Sequence, residues 1–213
     1  MIARSLSAAA VTAVALFPLT PSVEAAAVYG FTGLTNNKAA DVAIGETQLS
    51  LEVSQFGANQ VAFKFINEGP NAAVIARAYW EQDSSLLNSI GPITSSSNVH
   101  FQIGGAPPHL PGSNPKIDDF KVSAKAPPPK WGVGPGEWVQ VVFNLVHGKT
   151  YENIVFAIDN DKLQIGVHVI AYAGGGSESF VVDGQVIPTP AAASMGAALI
   201  GLGLFRRNRQ RRR

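Results

Sequence analysis

The chain of 213 residues contains no cysteine, and both charged residues (15%) and aromatic residues (8%) are scarce. The lack of cysteine excludes disulfide bonds, thiolate nucleophiles and cysteine-ligated metals. A chain of this length does not need disulfides to build a core, so the absence is compatible with export and does not argue for it. Glycine (21) and proline (14) are frequent instead, which predicts many turns and few long helices.

The common catalytic signatures are also missing. In Gly148-Lys149-Thr150, the glycine that a phosphate-binding loop needs five residues earlier is replaced by Phe143, so a hairpin turn is predicted. Gly175–Ser179 lacks the last glycine of a serine nucleophile elbow and is interpreted as a loop. The four histidines are dispersed, and no pair has the spacing of metal ligands on one element: His100, His109, His147 and His168. We therefore expect a protein that is not an enzyme, with no bound cofactor.

The formal net charge of +1 conceals an asymmetry. Seven of the 16 basic residues lie in the two end segments, which leaves nine Lys/Arg against 14 Asp/Glu between residues 26 and 187. This middle region carries a charge of −5 and repels phosphate backbones, so nucleic-acid binding is disfavoured.

In the first 25 residues, a charged, an apolar and a small-residue segment follow one another in the order typical of a secretory signal peptide. Arg4 precedes the apolar stretch Leu6–Leu19, and small residues follow. We predict cleavage after Ala25, with cleavage after Ala26 or Ala27 as close alternatives. An ordinary buried helix is the other interpretation, but Pro18 and Pro21 would break it.

The last 28 residues form a second distinct segment, 186–213. Pro188-Thr189-Pro190 precedes 15 uncharged residues, Ala191–Phe205, which predict a short hydrophobic helix of about 22 Å. An arginine cluster follows, beginning with Arg206, Arg207 and Arg209. Such a cluster is retained in the cytoplasm, so the middle region is expected to face outward.

This three-part order resembles the PEP-CTERM sorting signal of exported bacterial proteins. The resemblance covers Ile187–Arg213, with Thr189 where the family has glutamate. It implies that an exosortase, a membrane transpeptidase-like protease, recognises and cuts the tail near the proline motif. Two alternatives stay open: a plain C-terminal membrane anchor with stop-transfer arginines, and a basic nucleic-acid-binding tail.

The middle region alternates apolar and polar residues along about ten short runs. Examples are Leu49–Val53, Val61–Phe65, Val139–Leu145, Ile154–Ile158 and Leu163–Ala171. Glycine and proline separate the runs, which predicts one all-β domain over 26–185, an antiparallel β-sandwich or jelly roll. A short helix is allowed near Ala39–Ile44 or Glu81–Leu87. Several stretches also resemble domains that accompany PEP-CTERM tails, such as Asp41–Val53 and Val61–Pro70.

Two tryptophans, Trp131 and Trp138, are the candidates for ligand contact, because aromatic rings stack on sugars. Asp159-Asn160-Asp161 crowds oxygen ligands into one turn, but the spacing of a calcium loop is incomplete, and a solvated turn is the preferred interpretation. An enzyme acting on polymers would need two carboxylates about 5–10 Å apart, for which Glu52, Glu68, Glu81 and Asp83 can be named.

These features predict a protein of the bacterial cell surface or exopolysaccharide matrix, held transiently or permanently at the membrane by its tail. Its expected partners are signal peptidase, an exosortase-type enzyme, the membrane and extracellular polysaccharide. A carbohydrate-binding, lectin-like module with or without calcium is the alternative function, and a polysaccharide-acting enzyme is the third.

Overall fold

A computed structural model describes residues 26–186. The predicted signal peptide and the sorting motif, including Pro188–Pro190 and the arginine cluster, lie outside this range. The described part contains ten strands and three short helices: β1 (Ala27–Gly33), α1 (Ala39–Gln48), β2 (Leu49–Gly57), β3 (Gln60–Asn67), β4 (Val74–Gln82), β5 (Leu87–Ser95), β6 (Phe101–Ile103), β7 (Phe120–Ala124), α2 (Pro128–Trp131), β8 (Glu137–Leu145), α3 (Tyr151–Asp159), β9 (Leu163–Ile170) and β10 (Ser177–Val186).

The strands form one antiparallel sheet in the order β5-β8-β3-β2-β1-β10-β9-β4-β7-β6, which is nearly closed into a barrel. The all-β antiparallel prediction is confirmed. The expected pair of stacked sheets is instead one continuous hydrogen-bonded sheet, because alternation shows that one face is buried without showing how the strands are joined. The edge strand β5 contains Pro92 and two register irregularities, which obstruct pairing with another chain.

Helices α1 and α3 close opposite ends of this sheet. Helix α1 joins the end of β1 to the start of β2 and packs on β1 and β10. Helix α3 joins the end of β8 to the start of β9 and packs on β2, β9 and β10. We call these ends the α1 pole and the α3 pole.

The interior is filled by an aromatic cluster at its centre. Trp80 is fully buried, and its ring contacts Phe143 at 4.9 Å, Phe65 at 5.5 Å and Phe63 at 5.8 Å between centroids. Tyr79, the next residue along β4, points to the outer face, as expected for neighbours on a strand. It is nevertheless buried, because the connection between β6 and β7 crosses over it.

That connection, residues 104–119, forms a small second core with the outside of the sheet. Leu110 and Ile117 pack on Tyr79, whose hydroxyl donates to the carbonyl of Pro107 at 3.3 Å. Burial raises the pKa of Tyr79 to about 12. Gly166 permits the contact, since a Cβ at this position would lie 2.4 Å from Leu110 Cδ2.

Some local predictions were wrong. Ile154–Ile158, expected as a strand, lies within α3, and Glu81–Leu87 forms no helix. The allowed helix at Ala39–Ile44 is present as α1. Gly148–Thr150 is not a hairpin turn; it leads from β8 into α3, where Thr150 is the N-cap residue.

Candidate functional site

Trp138 lies on the outer face of the sheet at the start of β8, close to the α1 pole. It pairs with Ile66 on β3, and both side chains are partly exposed. The ammonium group of Lys64 lies 5.4 Å from the centroid of the indole ring and also forms an ion pair with Glu52 at 3.5 Å. Glu52, Lys64, Gln140 and Thr94 then follow one another across four neighbouring strands. Trp138 therefore borders a transverse row of polar side chains.

Trp131 ends α2 and is also partly exposed. Its indole ring contacts the imidazole of His100 edge to face, with 4.7 Å between the ring centroids. The Lys130 ammonium group lies 4.5 Å from the centroid of the indole ring. The His100 amide donates to the Trp131 carbonyl at 2.9 Å.

One five-residue segment, 96–100, links the two tryptophans. At its start, Ser96 and Trp138 exchange hydrogen bonds: the Ser96 amide donates to the Trp138 carbonyl at 3.1 Å, and the Trp138 amide donates to Ser96 Oγ at 2.8 Å. At its end, His100 contacts Trp131 through its backbone amide and its imidazole ring. We call Trp131, Trp138 and the cations beside them, Lys64 and Lys130, the tryptophan surface. A partly exposed aromatic ring can stack on a sugar, while polar groups beside the ring form hydrogen bonds with the sugar hydroxyls.

A second polar row crosses the outer face of β7, β4, β9 and β10. It consists of Ser123, Arg77, His168 and Ser179 in register. Arg77 is the single arginine in the described range, and its buried Nε has no hydrogen-bond partner. A register irregularity between Ile75 and Arg77 brings Arg77 opposite His168. Burial, and to a lesser extent the positive charge of Arg77, lower the pKa of His168 to about 4, so the imidazole is neutral at pH 7.

Glu178 is buried at the α1 pole, where its carboxylate binds residues at the start of α1. Its carboxylate accepts hydrogen bonds from the Thr35 hydroxyl at 2.6 Å and from the amides of Asn37 and Lys38 at 3.1 and 2.8 Å. These donors lie at the start of α1, where a negative charge stabilises a helix. The N-cap residue Lys38 makes no capping hydrogen bond with its own side chain, so Glu178 takes that role and anchors this helix terminus to β10.

Several acidic side chains considered for metal binding or catalysis make structural contacts. Asp159 accepts a hydrogen bond from the Tyr29 hydroxyl at 3.0 Å. Glu81 accepts from the amides of Asp118 and Asp119. Asp83 pairs with Lys162 at 3.1 Å. Among residues 26–186, no group of three or more His, Asp or Glu side chains is arranged to hold a metal ion.

Residues of the described range also line clefts away from the tryptophan surface. One, of about 200 Å³, lies between the 104–119 connection and β9 and β10, and is lined by Leu34, Ile117 and Val181 among others. Another, of about 330 Å³, is shallow and polar, and Asp83 and Asp119 line it. Neither tryptophan lines either of these two clefts.

The α3 pole carries both ends of the described chain and two exposed aromatic side chains. Strand β1 begins there at Ala27, whose backbone amide donates a hydrogen bond to the Tyr151 hydroxyl oxygen at 3.1 Å. Strand β10 ends there, since Val186 pairs with Tyr29. Phe56, at the end of β2, is 49% exposed, and Phe156 on α3 is 66% exposed.

Comparison of the chain with protein-family models, curated proteins and solved structures finds no match. Within the range 26–186, no helix is long and apolar enough to cross a membrane.

Proposed function

We propose that this protein is an exported, non-enzymatic component of the bacterial cell envelope or exopolysaccharide matrix, tethered or processed through its C-terminal tail. The observation that carries the proposal is the position of the two chain ends. Strand β1 begins two residues after the predicted cleavage site at Ala25, and β10 ends two residues before Pro188. The predicted signal peptide and the predicted sorting tail would thus both join the described residues at the α3 pole.

This arrangement suits a domain that is delivered through a membrane and held beside it. The N-terminal segment would be removed after Ala25 or Ala26. The apolar segment Ala191–Phe205 would stay in the membrane, with Arg206, Arg207 and Arg209 on its cytoplasmic side. An exosortase-type enzyme would act at Pro188–Pro190.

The test compares the full chain with a variant that ends at Val186, both expressed with the N-terminal segment in a bacterium that has an exosortase. We expect the full chain in the membrane or attached to the cell surface, and the shortened variant free outside the cytoplasm. A matched variant with Arg206, Arg207 and Arg209 changed to Gln separates anchoring by the apolar segment from retention by the cations. Equal distribution of the full and shortened chains would overturn the proposed tether.

Carbohydrate binding is the second candidate function, and the tryptophan surface favours it. Trp138 and Trp131 are partly exposed, and Lys64 or Lys130 lies beside each ring. A cation beside an aromatic ring suits a sugar that bears a carboxylate. The test is binding to acidic and neutral polysaccharides with and without calcium. Trp138→Ala should reduce binding, whereas Phe156→Ala at the opposite pole should not. No binding across a broad glycan panel would eliminate this function.

A further inference from the structure

The α3 pole combines exposed aromatic side chains with the exit of the chain. Large hydrophobic side chains that are exposed in residues 26–186 are Phe56, Ile103 and Phe156. Two of the three, Phe56 and Phe156, lie at the α3 pole, on elements that are in contact with each other. Single exposed hydrophobic residues need no explanation, but here two of them lie at the same pole as the point where the chain leaves the described domain.

The distance between this pole and a tethering membrane is set by a short linker. Only four residues, 187–190, separate Val186 from the apolar segment that begins at Ala191. Fully extended, they allow roughly 17 Å between the two ends. The opposite pole is roughly 25 Å further away, the length of β8 at about 3.3 Å per residue. If the apolar segment is in the membrane, the α3 pole is the end that reaches the lipid surface.

The charges at this pole are of both signs and do not form a basic patch. They come from α3, from the turns beside it and from neighbouring strand ends, and six acidic residues stand against two lysines: Asp83, Asp119, His147, Lys149, Glu152, Asp159, Asp161, Lys162 and Asp183. Asp83 and Lys162 neutralise each other in an ion pair. Because acidic residues outnumber lysines, this pole is not attracted to anionic lipid headgroups, and contact with a bilayer depends on its apolar side chains.

We propose that the α3 pole docks on the surface of the lipid bilayer, with Phe56 and Phe156 inserted at the level of the headgroups. The inference rests on the proposed tether and adds an orientation to it. Docking holds α3 against the membrane and points the α1 pole, with the tryptophan surface, away from the cell. A flexible tether without docking would present all faces of the domain equally.

The lack of cysteine makes a direct test straightforward. Ala58→Cys, in the turn after Phe56, and Ser97→Cys, at the α1 pole, each introduce one exposed thiol for a fluorescent label. The chain with its tail intact is reconstituted into vesicles of phosphatidylethanolamine and phosphatidylcholine, some of which carry nitroxide-labelled acyl chains that quench nearby fluorophores. We expect strong quenching of the label at position 58 and little quenching at position 97.

The double variant Phe56→Ser/Phe156→Ser separates docking from simple tethering. It should lower the ratio of docked to undocked domains at least about tenfold, as expected for the loss of two partly buried aromatic rings, and the quenching at position 58 should fall accordingly. Ile103→Ser, which removes an equally exposed hydrophobic side chain from the flank of the sheet, is the matched control and should leave quenching unchanged.

The outcomes distinguish this inference from the proposed function. Flotation with vesicles but equal quenching at positions 58 and 97 would overturn docking and leave the tether intact. Quenching at position 58 that does not depend on the two phenylalanines would also overturn docking. A full chain that fails to float with the vesicles would overturn both proposals.

Discussion

Gly45→Ala should destabilise the domain, although alanine is the better helix former. Gly45 lies in the second turn of α1 and faces the ring of Phe180, which is fully buried. A Cβ added to Gly45 would lie 2.1 Å from Phe180 Cζ and 2.4 Å from Cε1. Because Cζ lies on the axis about which the ring flips, rotation of the ring cannot relieve this clash. Phe180 or α1 has to move by more than about 1 Å to restore an ordinary carbon contact.

The net effect can be estimated from two opposing terms. Forced overpacking of a core costs about 3 kcal/mol at the upper end of its usual range. Replacing glycine by alanine within a helix recovers about 1 kcal/mol. We therefore expect the free energy of unfolding to fall by about 2 kcal/mol, which corresponds to a decrease in Tm of roughly 4–8 °C for a domain of this size.

Urea unfolding of the chain without its N-terminal segment measures this effect. The midpoint should fall while the slope m stays the same, as expected for a change in native stability alone. Gly57→Ala is the matched control, because the nearest atom to its added Cβ is Gln60 Oε1 at 3.6 Å, and its stability should change by less than about 0.5 kcal/mol. A Gly45→Ala protein as stable as the parent would refute the packing of α1 on β10.

Three further predictions follow from the outer face and the poles. The pKa of His168 falls to about 4 in the folded chain, so between about pH 6.5 and pH 4 the unfolded chain binds a proton that the folded chain does not. The contribution of neutral His168 to the free energy of unfolding should be fully present above pH 6.5 and should fall by roughly 2 kcal/mol down to pH 4, after allowance for partial exposure. Urea titrations at each pH measure this dependence, and His168→Gln should remove it. Glu178→Gln removes the negative charge at the start of α1, and we expect a loss of about 2 kcal/mol together with faster amide hydrogen exchange in α1, whereas exchange in α3 should not change. Trp138→Ala should weaken binding of an acidic polysaccharide about tenfold, by analogy with the loss of one stacked ring, and titration calorimetry that finds equal affinity would place any glycan site elsewhere.

Period-two alternation predicted most of the sheet correctly, because strands with one buried face must alternate. Strands β2, β3, β8 and β9 follow the expected runs. Strand β5 was missed, since Gly91-Pro92 indicates a turn, yet Pro92 is tolerated on an edge strand where its missing amide donor is not needed. The closure of the sheet depends on pairings between distant strands, such as β1 with β10, which no local pattern contains.

Helix α3 was mistaken for a strand, although the sequence carries a usable signal. Thr150 and Asn153 form a reciprocal capping arrangement, and the buried residues Ile154, Ala157 and Ile158 have the spacing of one helix face. The apolar run Ile154–Ile158 is too short to distinguish the two periods. The capping pair would have resolved the ambiguity.

The candidate site was only partly predictable. Trp131 and Trp138 could be named from composition, but their link through residues 96–100 depends on the long-range pairing of β8 with β5. The Arg77 row has no sequence motif, because its members come from four strands and meet only through their register. The exposure of Phe56 and Phe156 likewise depends on which side of each element faces the core.

Export and tail processing, the central claim, are tested most directly by mapping both mature termini. Mass spectrometry would be applied to protein isolated from the native cell envelope and from the medium. We predict an N-terminus at or near Ala26 and no peptide beyond Ile187–Pro190. An N-terminus at Ala26 with the tail intact would identify a membrane-anchored protein and remove the exosortase step. A chain that still begins at Met1 would contradict export altogether.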